Sequence, residues 1–248
     1  MWCRPHDRRG RTGRDRSRHC TPCCEREAVN TIRINSGPIT AAEDSFAITI
    51  YGTGGHGAFP HMGTDTAHML AQAINAINGI RARRIDPTKA AAISIGSIHG
   101  GAVSNVIPSE ISLTGTMRTY DSEVREQLKE EMQSALGVVR ALGGDYSLEF
   151  TPGYPATYNE PGLSQMIEDT AVEMLGKDAL LEPMSIMGAE DFSYMTQKAP
   201  GAMFWLGAKL DENNRPHHTP VFDINEECLP TGAAMLAEVT RKLMEQNA

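Results

Sequence analysis

Residues 46–61 read FAITIYGTGGHGAFPH. From Phe46 to Tyr51 β-branched and aromatic side chains recur at alternate positions, the pattern of a half-buried strand, and Gly52 closes it. Gly52, Gly54 and Gly57 fit the spacing G-x-G-x-x-G that cradles a dinucleotide when it joins a parallel strand to a helix. That reading fails on Pro60, which sits where the binding helix would already be running. What remains is a strand followed by a glycine loop carrying His56, with His61 a few residues later.

Working outward, Met69, Leu70, Ala73, Ile74, Ile77 and Ile80 recur at helical spacing, with Asp65 near the start and Gly79 and Pro87 toward the end. KAAAISIGSIHG (89–100) and IPSEISLTGTMRTY (107–120) alternate as sheet strands do. Asp121 then caps a second helix with an apolar stripe of Val124, Leu128, Met132, Ala135, Leu136 and Val139. Gly143 and Gly144 end that helix, and DYSLEF (145–150) makes a last strand. Strand, helix, strand, strand, helix, strand is the order of a ferredoxin-like split βαβ domain over residues 46–152. Its open sheet face and edges want partners, which predicts self-association.

The chain has 248 residues, 40% of them hydrophobic and 22% charged, enough for two modest domains. No apolar run approaches the roughly 20 residues of a membrane helix. Residues 1–26 carry eight Arg against three acidic residues, whereas the rest carries 15 basic and 28 acidic ones. A body of that sign repels phosphate backbones, so no nucleic-acid partner is expected. Four of the five cysteines lie in the opening segment, leaving no disulfide framework for the body and predicting a cytoplasmic setting. That segment, MWCRPHDRRGRTGRDRSRHCTPCCER, has no periodicity of 3.6 or 2. A basic disordered tail, a zinc knuckle on His19, Cys20, Cys23 and Cys24, and out-of-frame translation are the competing readings. The last is favoured, because the texture changes abruptly at Ala28, and residues 1–27 are expected to be disordered.

The succession GGHGAFPH (54–61), SNVIP (104–108) and GTMRT (115–119) resembles the lid, or dimerisation, domain of the M20 amidohydrolases, a family that includes hippurate hydrolases and N-acyl-amino-acid deacylases. SIMGAEDFSYM (185–195) is similar to the family's GAEDF signature. PHHTPVFDIN (216–225) is similar to its H-x-P-x-F/Y-D element, and GAMFWLGA (201–208) between them reads as a buried strand in which Trp205 packs the core. The resemblance implies an α/β chain with an α+β ferredoxin-like βαββαβ lid at 46–152. That lid is inserted in an incomplete zinc-aminopeptidase-like α/β catalytic domain at 28–45 and 153–248.

It further implies that His56 stabilises a tetrahedral intermediate across a homodimer, that Asn105 and Arg118 hold the substrate carboxylate, that Glu190 and Asp191 flank the site, and that His218 matches a metal ligand. Arg suits a carboxylate because its planar fork donates two parallel hydrogen bonds. Intact members bind two divalent ions, zinc or manganese, and release an amino acid from an N-acyl amino acid. Their bridging aspartate, Cys-Gly-His-Asp element, paired glutamates and further histidine precede the lid, and residues 1–45 contain none of those motifs. The expectation is therefore an amidohydrolase whose first half is lost or misread, with a non-catalytic dimerisation and substrate-recognition remnant as the alternative.

Overall fold

A computed structural model describes residues 18–20, 23–213 and 215–246. The chain divides into two compact units, residues 41–156 and residues 1–40 with 157–248. These borders fall a few residues outside the 46 and 152 read from the sequence. No helix among the described residues is long and apolar enough to cross a membrane.

Unit 41–156 is built on a four-stranded antiparallel sheet with the spatial order Asp145–Pro152, Ala42–Tyr51, Glu110–Thr119, Ala91–Gly100. In Ala42–Tyr51 every second residue is buried, so Phe46, Ile48 and Ile50 face the core while Ser45, Ala47 and Thr49 face away. Helix Thr66–Arg83 begins where the Asp65 side chain accepts from the backbone N–H groups of Ala67 and His68, and it buries Met69, Ala73, Ile77 and Ile80. Helix Ser122–Ala135 is capped in the same way by Asp121 and buries Val124, Leu128 and Met132. These side chains close one core with Leu113 and Met117 of the sheet. Each fully buried Leu or Ile stabilises it by roughly 1.5–3 kcal/mol. The stripe read as one helix through Val139 breaks at Leu136 and resumes as the short helix Gly137–Ala141, since glycine weakens a helix interior. The edge strand Ala91–Gly100 has a register shift between Ile95 and Ser97.

One inward position of this sheet is a charge. The Asp44 side chain is fully buried, and its Oδ2 accepts from Arg125 Nε at 2.7 Å. Its Oδ1 accepts from a second Arg125 nitrogen at 2.5 Å and from Gly153 N–H at 3.2 Å, and Lys129 Nζ stands 3.7 Å from Oδ2. Burial alone would raise this carboxyl's pKa. The Arg125 hydrogen bonds and charge, with Gly153 and Lys129, outweigh it and hold the group below its ordinary 3.8.

The other unit pairs short strands in the order Leu180–Leu181, Ile32–Arg33, Trp205–Gly207, Cys23–Cys24. Gly37–Thr40 runs antiparallel to Thr157–Asn159, and Arg18–Cys20 runs parallel to Gly201–Met203. Helices Pro161–Leu175 and Cys228–Gln246 pack Leu163, Ile167, Met235 and Val239 against Ile32, Phe204 and Leu206. Trp205 is buried with Ile39, Phe192 and Met203, as a core residue. The segment read as patternless thus supplies strands at 18–20 and 23–24. Pairing at a sheet edge uses backbone groups alone and needs no side-chain periodicity. Cys23 packs with the Cys228 cluster and Cys24 with the Trp205 cluster, on opposite faces of their strand, so the two thiols do not converge as a zinc knuckle requires. The rest of that reading falls partly outside the described residues.

Arg125→Met, which strands a buried carboxylate, is expected to cost about 3 kcal/mol in urea unfolding; Asp44→Asn costs less, since Arg125 is partly exposed and regains water. Because the native pKa of Asp44 is depressed, its contribution is present above pH 3.8 and is lost as pH falls through the native value; Asp44→Asn should flatten that acid limb. The Cys23 thiol is pushed up to about 11 by burial and by neighbouring Cys228. The unfolded thiol ionises first, so stability should fall as pH rises from 9 toward 11, and a Cys23→Ala melt series should show a shallower slope, the remainder coming from Cys24, which burial also raises.

Candidate functional site

The glycine loop and the SNVIP segment meet as backbones. Gly55–His56 pairs antiparallel with Val106–Ile107, Gly52 N–H donates to the Ser109 carbonyl at 2.8 Å, and Gly57 N–H donates to the Asn105 carbonyl at 2.8 Å. Glycine is required at Gly54, which has φ +61° and where a Cβ would lie 2.5 Å from the Ile107 carbonyl oxygen; a Cβ on Gly57 would be a tight 3.1 Å from that of Asn105. The seam thereby brings the exposed residues His56 and Asn105 into neighbouring register positions, with His56 opposite Val106 and Asn105 one place along. The His56 ring lies 5.6 Å from that of Phe59, and its Nδ1 accepts from Ala58 N–H at 3.0 Å.

Arg118 lies elsewhere. It sits half-buried near the far end of Glu110–Thr119, in register with Glu43 and Ala92. Eight residues of strand separate it from Glu110, about 26 Å at 3.3 Å per residue. Within one copy of the chain the sheet therefore holds Arg118 apart from the His56–Asn105 pair.

Glu190, Asp191, His217 and His218 belong to the other unit. The backbone carbonyls of Glu190 and Asp191 open helix Ser193–Thr196, accepting from Ser193 N–H at 3.2 Å and Tyr194 N–H at 3.1 Å. Neither carboxylate caps that helix, since its first residue has no side-chain cap. Both side chains are half-buried. Burial raises the Glu190 pKa and the Asp191 charge raises it further, against the opposing pull of His217 and His218. The His217 ring stacks on Phe222 at 4.7 Å, and its Nε2 stands 2.9 Å from Glu25 Oε2 and 3.0 Å from the Cys23 carbonyl. Glu25 was invisible to sequence reasoning because it lies in the segment without pattern; its side chain is nevertheless only 6% exposed. His218 is exposed, its ring 6.4 Å from that of His217, and its φ is +62°, the left-handed region.

Among the described residues no three His, Cys, Asp or Glu side chains stand together as a metal site. His218 with its acidic neighbours does not by itself fit a metal centre, which takes at least three protein ligands.

Residues 44–140 match the family model described as the peptidase dimerisation domain of M20. That segment is an M20 peptidase dimerisation domain. The chain is 37% identical over 202 residues to thermostable carboxypeptidase 2 of Saccharolobus solfataricus, a match covering 79% of the chain and 50% of that protein. It is 32% identical over 224 residues to the N-acetyl-L-cysteine deacetylase of Bacillus subtilis, covering 89% and 52%. The crystal structure of Bacillus subtilis YXEP protein, described as a dinuclear metal binding peptidase from the M20 family, superposes with a TM-score of 0.76 at 24% identity, over 92% of this chain and 57% of that one. At that identity the likeness is one of fold. The chain spans about half the length of the curated relatives it matches.

A left-handed backbone costs a side-chain-bearing residue roughly 1–2 kcal/mol, while glycine brings about 0.5–1 kcal/mol of extra chain entropy to the unfolded state. His218→Gly is therefore expected to stabilise the protein by about 0.5 kcal/mol in denaturant titrations, and His218→Ala, which keeps the strain, to give no gain.

Proposed function

We propose that this chain carries the lid and the carboxyl-terminal part of a metal-dependent amidohydrolase that releases an amino acid from an N-acyl, hippurate-like amino acid. The observation that carries the reading is the backbone seam between the glycine loop and the SNVIP segment, which sets His56 and Asn105, both exposed, at neighbouring register positions. The deacetylase among the relatives supports the reaction class. The likeness to a protein described as binding two metals supports divalent ions, zinc or manganese, in the intact enzyme.

In this reading His56 donates its Nε2–H to the oxygen of the attacked carbonyl, where negative charge builds as the tetrahedral centre forms. Arg118 pairs with the substrate carboxylate through its fork, and Asn105 adds a neutral donor beside it. Glu190 and Asp191 line the substrate side of the larger unit, with His218 its metal-side residue. The described side chains do not by themselves make a metal site.

The length of strand between Arg118 and Glu110, about 26 Å, with the seam to the His56 loop starting beyond Glu110 at Ser109, supports a homodimer in which the two groups on one substrate come from different copies. The 4-1-3-2 spatial order of the four long strands, numbered along the chain, supports a ferredoxin-like module as the dimerising part. That no three-ligand cluster stands among the described residues favours a second reading, in which the chain as given dimerises and recognises substrate without hydrolysing it.

The two readings separate in one assay. The full chain, loaded with zinc or manganese, is incubated with N-acetyl and N-benzoyl amino acids, and free amino acid is measured alongside sedimentation. A dimer without turnover is the expected result. Metal-dependent release of amino acid would eliminate the non-catalytic reading, and a monomer at micromolar concentration would remove the support for a shared site.

A further inference from the structure

The loop that carries His56 is closed at its neck by two threonines. Thr53 N–H donates to Thr64 Oγ1 at 2.7 Å, and Thr64 N–H donates to Thr53 Oγ1 at 2.8 Å. The bond pattern is reciprocal, each residue giving its amide and accepting on its hydroxyl. Gly54 N–H adds a bond to the Thr64 carbonyl at 3.3 Å. Neither threonine is buried, so the clasp is not a consequence of core packing.

Thr64 directly precedes Asp65, the capping residue of helix Thr66–Arg83, whose inner face is part of the hydrophobic core. One end of the loop is thus tied to a rigid helix start, and the clasp passes that rigidity across to the other end. Between the two ends the chain turns tightly: Phe59 N–H donates to the His56 carbonyl at 2.8 Å, and Met62 N–H to the Phe59 carbonyl at 3.1 Å. This turn is what delivers Ala58 N–H to His56 Nδ1. A ring nitrogen that accepts a hydrogen bond carries no proton, so the neutral imidazole holds its proton on Nε2.

We infer that Thr53 and Thr64 are positioning residues for His56, and that their reciprocal clasp sets the loop so that the imidazole is presented as the Nε2–H tautomer, a neutral donor for a ligand oxygen. The donor role rests on the function proposed above; the clasp and the tautomer do not. Sequence reading had no signal for either threonine, because they lie 11 residues apart on opposite limbs of the loop.

The test is nitrogen NMR of the full chain at a pH where His56 is neutral, combined with amide hydrogen exchange. In the natural sequence the His56 ring should show a protonated Nε2 and an unprotonated Nδ1, with the amides of Thr53, Ala58 and Thr64 protected. In Thr64→Val and Thr53→Val, which keep the shape and lose the hydroxyl, the partner threonine's amide and that of Ala58 should exchange about fivefold faster. The His56 ring should then report a tautomer mixture. Thr64→Ser, which keeps the hydroxyl, should restore both signals. The amides of Ile48 and Leu113, in the middle of the sheet, should be unchanged in every variant and so report that the domain is folded.

If Ala58 exchange and the ring pattern are the same in both valine variants as in the natural chain, the threonines do not position His56. A wild-type ring protonated on Nδ1 would overturn the tautomer. Failure of the clasp leaves the amidohydrolase reading standing, an Nδ1 proton would remove from it only the Nε2–H donation by His56, and a chain that turns over no substrate can still pass every arm.

Discussion

Three elements of the smaller unit converge on one carboxylate. Asp44 stands on the central strand Ala42–Tyr51, Arg125 and Lys129 on the second helix, and Gly153 at the end of the last strand. A buried ion pair is not by itself a source of large stability, since desolvation offsets most of its attraction. Its effect is on specificity. An uncompensated Asp44 at a fully buried position is costly, so any register of the sheet or placement of the second helix that fails to bring Arg125 to it is excluded. The apolar stripe of that helix tolerates a turn's slip far better than the ion pair does.

Much of this was legible in the sequence because the elements announce themselves locally. Asp65 and Asp121 sit just before helical apolar spacing, and both accept two backbone N–H groups in the structure. The alternation in 46–51 placed Phe46, Ile48 and Ile50 on one face, and all three are in the core. Asp44 was not found, although it continues the same alternation, because its partner Arg125 is 81 residues away and nothing local marks the pair. The break at Leu136 was missed for the opposite reason: the apolar spacing carries straight across a change in backbone path that Gly137 permits.

The site divides in the same way. His56 and Asn105 stand in recognisable motifs, and the fold brings their backbones into neighbouring register positions, since the left-handed turn at Gly54 permits a close approach to Ile107 that no motif expresses. The separation of Arg118 from them follows from strand length, which motif order along a sequence does not express. Glu25 and the two loop threonines were missed because each acts through a partner remote in sequence or across a loop.

The register shift at Gly96 has a consequence for the behaviour of the protein at high concentration. Ala91–Gly100 contains no Asp, Glu, Lys, Arg or Pro and lies at the sheet's edge, which makes it a template for the unlimited strand addition that builds fibrils. Dry stacking of that kind needs a straight, regular segment of about six residues. Interrupting the ladder after Ile95 leaves runs of five residues, Ala91–Ile95, and four, Ser97–Gly100. The edge keeps enough regular backbone to meet a partner of matching shape and too little to propagate without end.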